Sequence, residues 1–256
     1  MSSSAELHLS YKVGNAPVSM FPFPHFYVQD VFPRDFYDQL QQKLPDPQAM
    51  LPIEQVRPVK GYKERFVLEL GEKHLATLPE DKRQFWDGLQ RWLVGGRFGH
   101  LLFSKFGPFI EERFKGQATP EFYDESLLVQ DITNYKLGPH TDAPRKVITV
   151  LFYLPKDESQ QHLGTSIYVP NEPNFTCPGG PHYPREGFEK LYSMPFVPNS
   201  LFCFLKTPNS FHGVEPVGDP DTRRWLLLYD IYARQMPAAA PAFRGAAQGQ
   251  GVKFSF

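Results

Sequence analysis

Asn134-Tyr-Lys-Leu-Gly-Pro-His140-Thr-Asp142, answered far along the chain by Phe211-His212-Gly213-Val214, is the pairing on which the fold reading turns. On an extended strand, residues i and i+2 project from one face, so His140 and Asp142 can reach a single ion together. His212 must then arrive from a strand remote in sequence. A sheet folded over itself as a jelly roll delivers it, whereas a local zinc-finger cluster does not. Two imidazoles and one carboxylate make a three-ligand metal site that leaves coordination positions open.

The pair alone decides little, because eight histidines in 256 residues make a chance His-x-Asp unremarkable. Taken singly, His140 also reads as a turn histidine beside Gly138-Pro139, and Asp142 as a turn cap. The order of the segments after it carries more weight. Asp142 precedes Val147-Ile-Thr-Val-Leu-Phe-Tyr-Leu154, a run typical of a buried strand. His212 opens toward Glu215-Pro-Val217, and a strand beginning Arg223-Arg224-Trp225-Leu226 comes next. A buried arginine is costly without an anionic partner. Adjacent strand residues face opposite sides, so only one of Arg223 and Arg224 can point inward.

From about residue 117 onward the pattern is β. Segments 126–136, 146–154, 165–169, 191–197, 201–205, 213–217 and 223–233 are rich in Val, Ile, Leu, Phe and Tyr, and turn residues separate them. The sequence therefore predicts a mainly β protein with flanking helices, its sandwich or jelly-roll core at about 123–236. Helical support spans about 33–116. It comprises a helix at 33–44 with Phe36, Leu40 and Leu44 on one face, a helix at 79–94, and two short helices at 98–104 and 108–114. Residues 60–70 read as a strand and 21–31 as an extended opening strand. The Ser-rich residues 1–15 read as poorly ordered, and 237–256 as a low-complexity tail. Residues 16–236 form one domain in this reading. The long 170–189 loop reads as a substrate lid.

Composition narrows the partners. Lys and Arg number 27 against 28 Asp and Glu, a net charge of −1. The basic residues are scattered, which leaves no electrostatic footprint for nucleic acid. Cys177 and Cys203 are too far apart to suggest a thiolate metal site or a disulfide framework. No basic segment leads into an apolar run at the start, and 147–154 is too short to span a bilayer. The expectation is a cytoplasmic protein without a membrane partner.

His140-Thr-Asp142, Phe152-Tyr-Leu-Pro155, His212-Gly-Val-Glu-Pro-Val217 and Arg224-Trp-Leu-Leu227, taken as an ordered set, resemble the Fe(II)/2-oxoglutarate-dependent dioxygenase superfamily on its prolyl-4-hydroxylase-like side. The resemblance covers roughly 127–233. Pro22-Phe-Pro-His-Phe26 is also similar to the first strand of bacterial members. It implies a double-stranded β-helix, with His140, Asp142 and His212 as ligands of Fe(II), and 2-oxoglutarate and O2 as co-substrates. It implies that Arg224 pairs with the distal carboxylate of 2-oxoglutarate, that Tyr153 hydrogen-bonds the same group, and that Tyr135 lines the co-substrate pocket. The implied reaction is hydroxylation of an unactivated C–H bond, with succinate and CO2 as products. A small-molecule substrate is favoured over a peptide or protein side chain. The alternative of a different class is a non-catalytic jelly-roll ligand-binding protein. Asn199 stands where relatives often carry glycine, and asparagine tolerates the same backbone conformation.

Overall fold

The computed structural model describes residues 2–118 and 120–234. Eleven strands are named among them: β1 (His25–Gln29), β2 (Leu51–Pro52), β3 (Arg65–Glu69), β4 (Phe122–Asp131), β5 (Leu137–His140), β6 (Lys146–Tyr153), β7 (Thr165–Pro170), β8 (Phe188–Ser193), β9 (Ser200–Leu205), β10 (His212–Val214) and β11 (Arg224–Ala233). They form two antiparallel sheets. The larger runs β1-β9-β6-β11-β4-β3-β2 and the smaller β5-β10-β7-β8. Chain neighbours β4 and β5, and likewise β6 and β7, lie in opposite sheets, so the chain passes back and forth between layers as in a double-stranded β-helix.

Strict alternation builds the interior. Along β11, Leu227, Tyr229 and Ile231 join a core packed against the helices, while Leu226 faces the space between the sheets. Arg224 has the parity of Leu226 and is likewise buried, whereas Arg223 is exposed. The inter-sheet core is aromatic and aliphatic: Tyr135, Tyr153, Phe196, Phe202 and Phe204 pack with Val129, Ile167 and Leu226.

Five helices cover the outer face of the large sheet, α1 (Ser2–Asn15), α2 (Arg34–Gln42), the single turn α4 (Glu72–Leu75), α5 (Glu80–Leu93) and α6 (Arg97–Arg113), while the single turn α3 (Ile53–Val56) packs Ile53 and Val56 against the inter-sheet core. Two expectations change here. The start of the chain is a helix rather than a poorly ordered segment, because Ala5, Leu9 and Val13 form a buried i, i+4, i+8 stripe. This stripe packs α1 on α5 and α6. The two short helices expected at 98–104 and 108–114 are one, and it runs through Pro108. Proline removes one helical hydrogen bond, but Phe98, Leu102, Phe106 and Ile110 keep a single buried face on both sides of it. Their burial, at roughly 1.5–3 kcal/mol per side chain, outweighs the break.

Leu9 is fully buried in that layer. Leu9→Ala is expected to cost about 2–5 kcal/mol and to lower the melting temperature by roughly 5–15 °C. An unchanged thermal transition would contradict a docked α1.

The turn into β9 shows how local chemistry fixes the frame. Asn199 takes φ 57°, the left-handed conformation expected at this position. Its side chain accepts from Phe32 N at 2.9 Å and donates to Phe32 O at 2.8 Å, tying the start of the chain to the sheet. Cys177 and Cys203 are buried free thiols. Among the described residues, no helix is long and apolar enough to cross a membrane. The sequence reading of 237–256 as a low-complexity tail lies outside the described residues.

Candidate active site

His140 closes β5, and His212 opens β10 directly opposite it in the antiparallel register. Cross-strand partners project side by side from one face, and the two rings lie 4.3 Å apart between centroids. Asp142 sits two residues beyond the end of β5, in the connection to β6. One ligand atom from each of His140, Asp142 and His212 falls within 4.8 Å of the other two. The structure thus brings together the three residues that the sequence singled out. Gly213 keeps the two ligand strands close, since a Cβ there would lie 2.6 Å from the Leu137 carbonyl oxygen.

Hydrogen bonding orients the donors. His140 Nδ1 lies 3.0 Å from Gly138 O, and His212 Nδ1 lies 2.9 Å from Ser210 O. Each carbonyl can only accept, so each Nδ1 carries the proton and each Nε2 keeps its lone pair. Asp142 Oδ2 accepts from Thr149 Oγ1 at 2.6 Å, and Lys146 Nζ stands 3.5 Å from Oδ1. Lys146 also pairs with the buried Asp230 at 2.9 Å.

The protonation states follow from this arrangement. Burial, and then the neighbouring His212, push His140 down to about 3. Burial also lowers His212. Burial acts on Asp142 in the opposite sense, but Lys146 and the two imidazoles outweigh it and hold the carboxyl well below its usual range. Near neutral pH the cluster is two neutral imidazoles and a carboxylate, the form that binds a divalent metal. Burial raises Asp230 to about 6, with Lys146 opposing it.

The cluster opens on a cavity of about 130 Å³ whose walls include Tyr62, Arg65, Lys146 and His182 beside His140 and Asp142. The 170–189 loop forms one side, and it is laced to the ligand-bearing strands. Tyr183 N donates to Pro139 O at 2.9 Å, Thr141 Oγ1 donates to Cys177 O at 3.0 Å, and Arg185 Nη2 donates to Leu137 O and Val214 O at 3.1 and 2.8 Å. His182 stacks on the His140 ring at 4.2 Å and 18°. Its Nε2 lies 3.1 Å from Tyr62 Oη. No spacing signal in the sequence marks this contact.

Gly179 in the same loop has φ +129°, and a Cβ there would lie 2.2 Å from the Asp142 carbonyl oxygen. Gly180 has φ +112° but open space around its Cα. Both alanine substitutions incur backbone strain of about 1–3 kcal/mol, and only Gly179→Ala adds the collision. Chemical denaturation is expected to show Gly179→Ala as the less stable of the two by at least about 1 kcal/mol. Equal losses would mean that the loop does not hold its position over Asp142.

The remaining candidates lie deeper. Arg224 donates from Nη1 to Asp131 Oδ2 at 2.7 Å and from Nε to Leu163 O at 2.7 Å. Asp131 also receives a bidentate pair from Arg65, at 2.7 and 2.9 Å. The register explains this, because Arg65 and Arg224 are the cross-strand partners of Asp131 on its two sides. Tyr135 is buried, with its ring under the Arg65 guanidinium at 4.3 Å and its hydroxyl without a hydrogen-bond partner. The Tyr153 hydroxyl gives its proton to Thr165 Oγ1 at 2.9 Å and accepts from Thr165 N at 3.1 Å. Arg224, Tyr153 and Tyr135 are buried together between the sheets, and none of them is on the wall of the cavity that contains His140 and Asp142. The sequence reading missed Arg65 and Asp131, which are distant in sequence and belong to no motif.

No protein-family model and no curated protein sequence matches the chain. Solved structures do. A prolyl 4-hydroxylase from Phytophthora capsici superposes with a TM-score of 0.51 at 11% identity, over 90% of this chain and 65% of that one. A prolyl hydroxylase from Trichoplax adhaerens, solved with a peptide fragment of the hypoxia-inducible factor oxygen degradation domain, superposes with a TM-score of 0.50 at 14% identity, over 90% and 91%. A Pseudomonas putida prolyl-4-hydroxylase matches at 15% identity with a TM-score of 0.48, over 89% and 100%. At these identities the likeness is one of fold, and the fold is the double-stranded β-helix of the prolyl hydroxylases.

Proposed function

We propose that the protein is an Fe(II)- and 2-oxoglutarate-dependent oxygenase that hydroxylates an unactivated C–H bond of a small molecule. The overall change is R–H + 2-oxoglutarate + O2 → R–OH + succinate + CO2. The observation that carries this reading is the His140–Asp142–His212 cluster, in its metal-binding protonation state, on a cavity that Arg65 also lines, with Arg224 and an orphaned tyrosine hydroxyl buried next to Arg65. Two neutral nitrogens and one carboxylate oxygen suit Fe(II) and leave positions for other ligands.

His140, Asp142 and His212 would hold the iron, which when bound supplies the redox chemistry that joins O2 to 2-oxoglutarate and substrate. The work of the chain's own residues is orientation. Gly138 O and Ser210 O fix the two imidazoles, and Thr149 with Lys146 fixes the Asp142 carboxylate. Arg224 supplies positive charge at the deep end, where a carboxylate gains most from a planar guanidinium. The unpartnered Tyr135 hydroxyl is a donor for a co-substrate oxygen. Tyr153, with its hydroxyl proton held by Thr165, backs the pocket beside Arg224, whose guanidinium carbon lies 6.0 Å from the ring centroid.

Charge supports the choice of co-substrate. Fe(II) with two neutral histidines and one aspartate carries a net +1, and two arginines sharing Asp131 carry another. Together they match a dianion. The cavity of about 130 Å³, walled by a loop fastened to the ligand strands, favours a small substrate over a protein surface. The test is succinate formation from 2-oxoglutarate with Fe(II) and O2, read by NMR before any primary substrate is known. Slow uncoupled turnover that requires both Fe(II) and O2 is expected. Its absence, across a panel of candidate substrates as well, would favour the non-catalytic binding protein.

A further inference from the structure

The proposed co-substrate pocket contains more positive charge than its sequence motif supplies, and the second cation comes from β3, a strand that carries none of the motif residues. Arg65 lies on β3, which flanks β4 at the margin of the large sheet. Three cross-strand partners stand in a row on one face: Arg65 on β3, Asp131 on β4 and Arg224 on β11. Asp131 is fully buried and ion-paired to both arginines. One carboxylate therefore neutralises one of two guanidinium charges, and the row retains a net +1.

The two arginines are not equivalent. Arg224 is 1% exposed and is absent from the wall of the cavity that contains His140 and Asp142. Nε and Nη1 of Arg224 are held by Leu163 O and Asp131. Arg65 is 14% exposed and lines that cavity, while its counter-ion Asp131 lies behind it and does not. Asp131 takes Nε and Nη2 of Arg65, so Nη1 has no hydrogen-bond partner among the described residues. The other cations on this wall are engaged: Arg57 pairs with Glu69 and Glu125, Lys146 with Asp142 and Asp230, and Arg145 lies over the Tyr232 ring at 5.1 Å from its centroid. Arg65 also covers the face of Tyr135, whose hydroxyl is the orphaned donor of the same region.

We propose that Arg65 is the cavity-side anchor for the distal carboxylate of the 2-oxo acid, and that it sets the preference for a dicarboxylate. In this arrangement Arg224 acts with it through Asp131: the shared aspartate holds both guanidinium planes, and a guanidinium already locked in place loses little freedom on binding an anion. Specificity for 2-oxoglutarate over a 2-oxo acid with an uncharged tail then rests on a residue that the metal motif does not contain. The inference rests on the oxygenase reading proposed for the same site.

The test compares two ligands on the full chain loaded with Mn(II) under anaerobic conditions, so that binding is read without turnover. The ligands are 2-oxoglutarate and 2-oxopentanoate, which has the same chain length but no distal carboxylate. Calorimetry on the wild type is expected to show 2-oxoglutarate bound at least about 30-fold more tightly. Arg65→Gln is expected to remove most of that preference by weakening 2-oxoglutarate alone. Arg65→Lys keeps a charge beside Asp131 and serves as the folded variant should Arg65→Gln prove unstable, with a preference reduced at least about 5-fold. A preference unchanged in the folded variant, or equal weakening of both ligands, would make Arg65 a purely structural ion pair and overturn the proposal. A wild type that binds Mn(II) but neither oxo acid would defeat the oxygenase reading itself, a result distinct from failure at Arg65.

Discussion

Replacing His140 and Asp142 together by alanine is expected to abolish metal binding while leaving the fold intact. Each donor in a buried site contributes several kcal/mol to a divalent ion, and each step of about 1.4 kcal/mol is tenfold in affinity. Loss of two of the three donors should therefore weaken Fe(II) binding by at least about 1,000-fold and remove all 2-oxoglutarate-derived succinate. The structure gives a reason to expect a folded variant. Lys146 loses Asp142 but keeps Asp230 at 2.9 Å, so no buried cation is stranded. Metal content by atomic spectroscopy, together with circular dichroism, separates the outcomes. Retained Fe(II) affinity in a folded double variant would place the metal elsewhere.

The second large effect concerns stability. Asp131→Asn is expected to cost about 3–5 kcal/mol, because it leaves the buried Arg224 and the part-buried Arg65 without their shared counter-ion. The melting temperature should fall by roughly 10 °C or more. The cost arises from the partners, since Arg224 is 1% exposed and cannot turn to solvent. Combining Asp131→Asn with Arg65→Gln should recover part of the loss, since one stranded charge is removed. A double variant no more stable than Asp131→Asn alone would show that Arg224, rather than the pair, dominates the penalty.

The parts of the site that were legible in the sequence are those in which local spacing carries the information. His140 and Asp142 are two residues apart, and Arg224 follows Arg223 in a strand whose alternation sends one inward and the other to solvent. The order of ligand pair, buried strand, third ligand and arginine carried the resemblance that implied a double-stranded β-helix. The less legible parts are contacts made by topology. Arg65 meets Asp131 only because β3 joins the margin of the large sheet, and no local pattern announces that register. His182 reaches His140 because the loop after β7 returns across β5, held by the Tyr183 N–Pro139 O hydrogen bond and by Thr141 and Arg185 side chains that are remote from it in sequence or belong to no motif. At the N-terminus, serines obscured a helical stripe of only three apolar residues, and tertiary packing on α5 and α6 stabilises what propensity alone does not. Pro108 misled for the same reason: a continuous buried face outweighs one lost hydrogen bond.

The likeness to prolyl hydroxylases is one of architecture, and the site chemistry rests on this chain's own donors. The most direct test of the central claim is an anaerobic titration in which binding of 2-oxoglutarate is measured with and without Fe(II). The expected result is one Fe(II) per chain and one 2-oxoglutarate that binds tightly only when iron is present, with the reciprocal strengthening of iron binding that linkage requires. Both are lost in His140→Ala/Asp142→Ala. Binding of 2-oxoglutarate that ignores Fe(II), or that survives in the double variant, would contradict the claim.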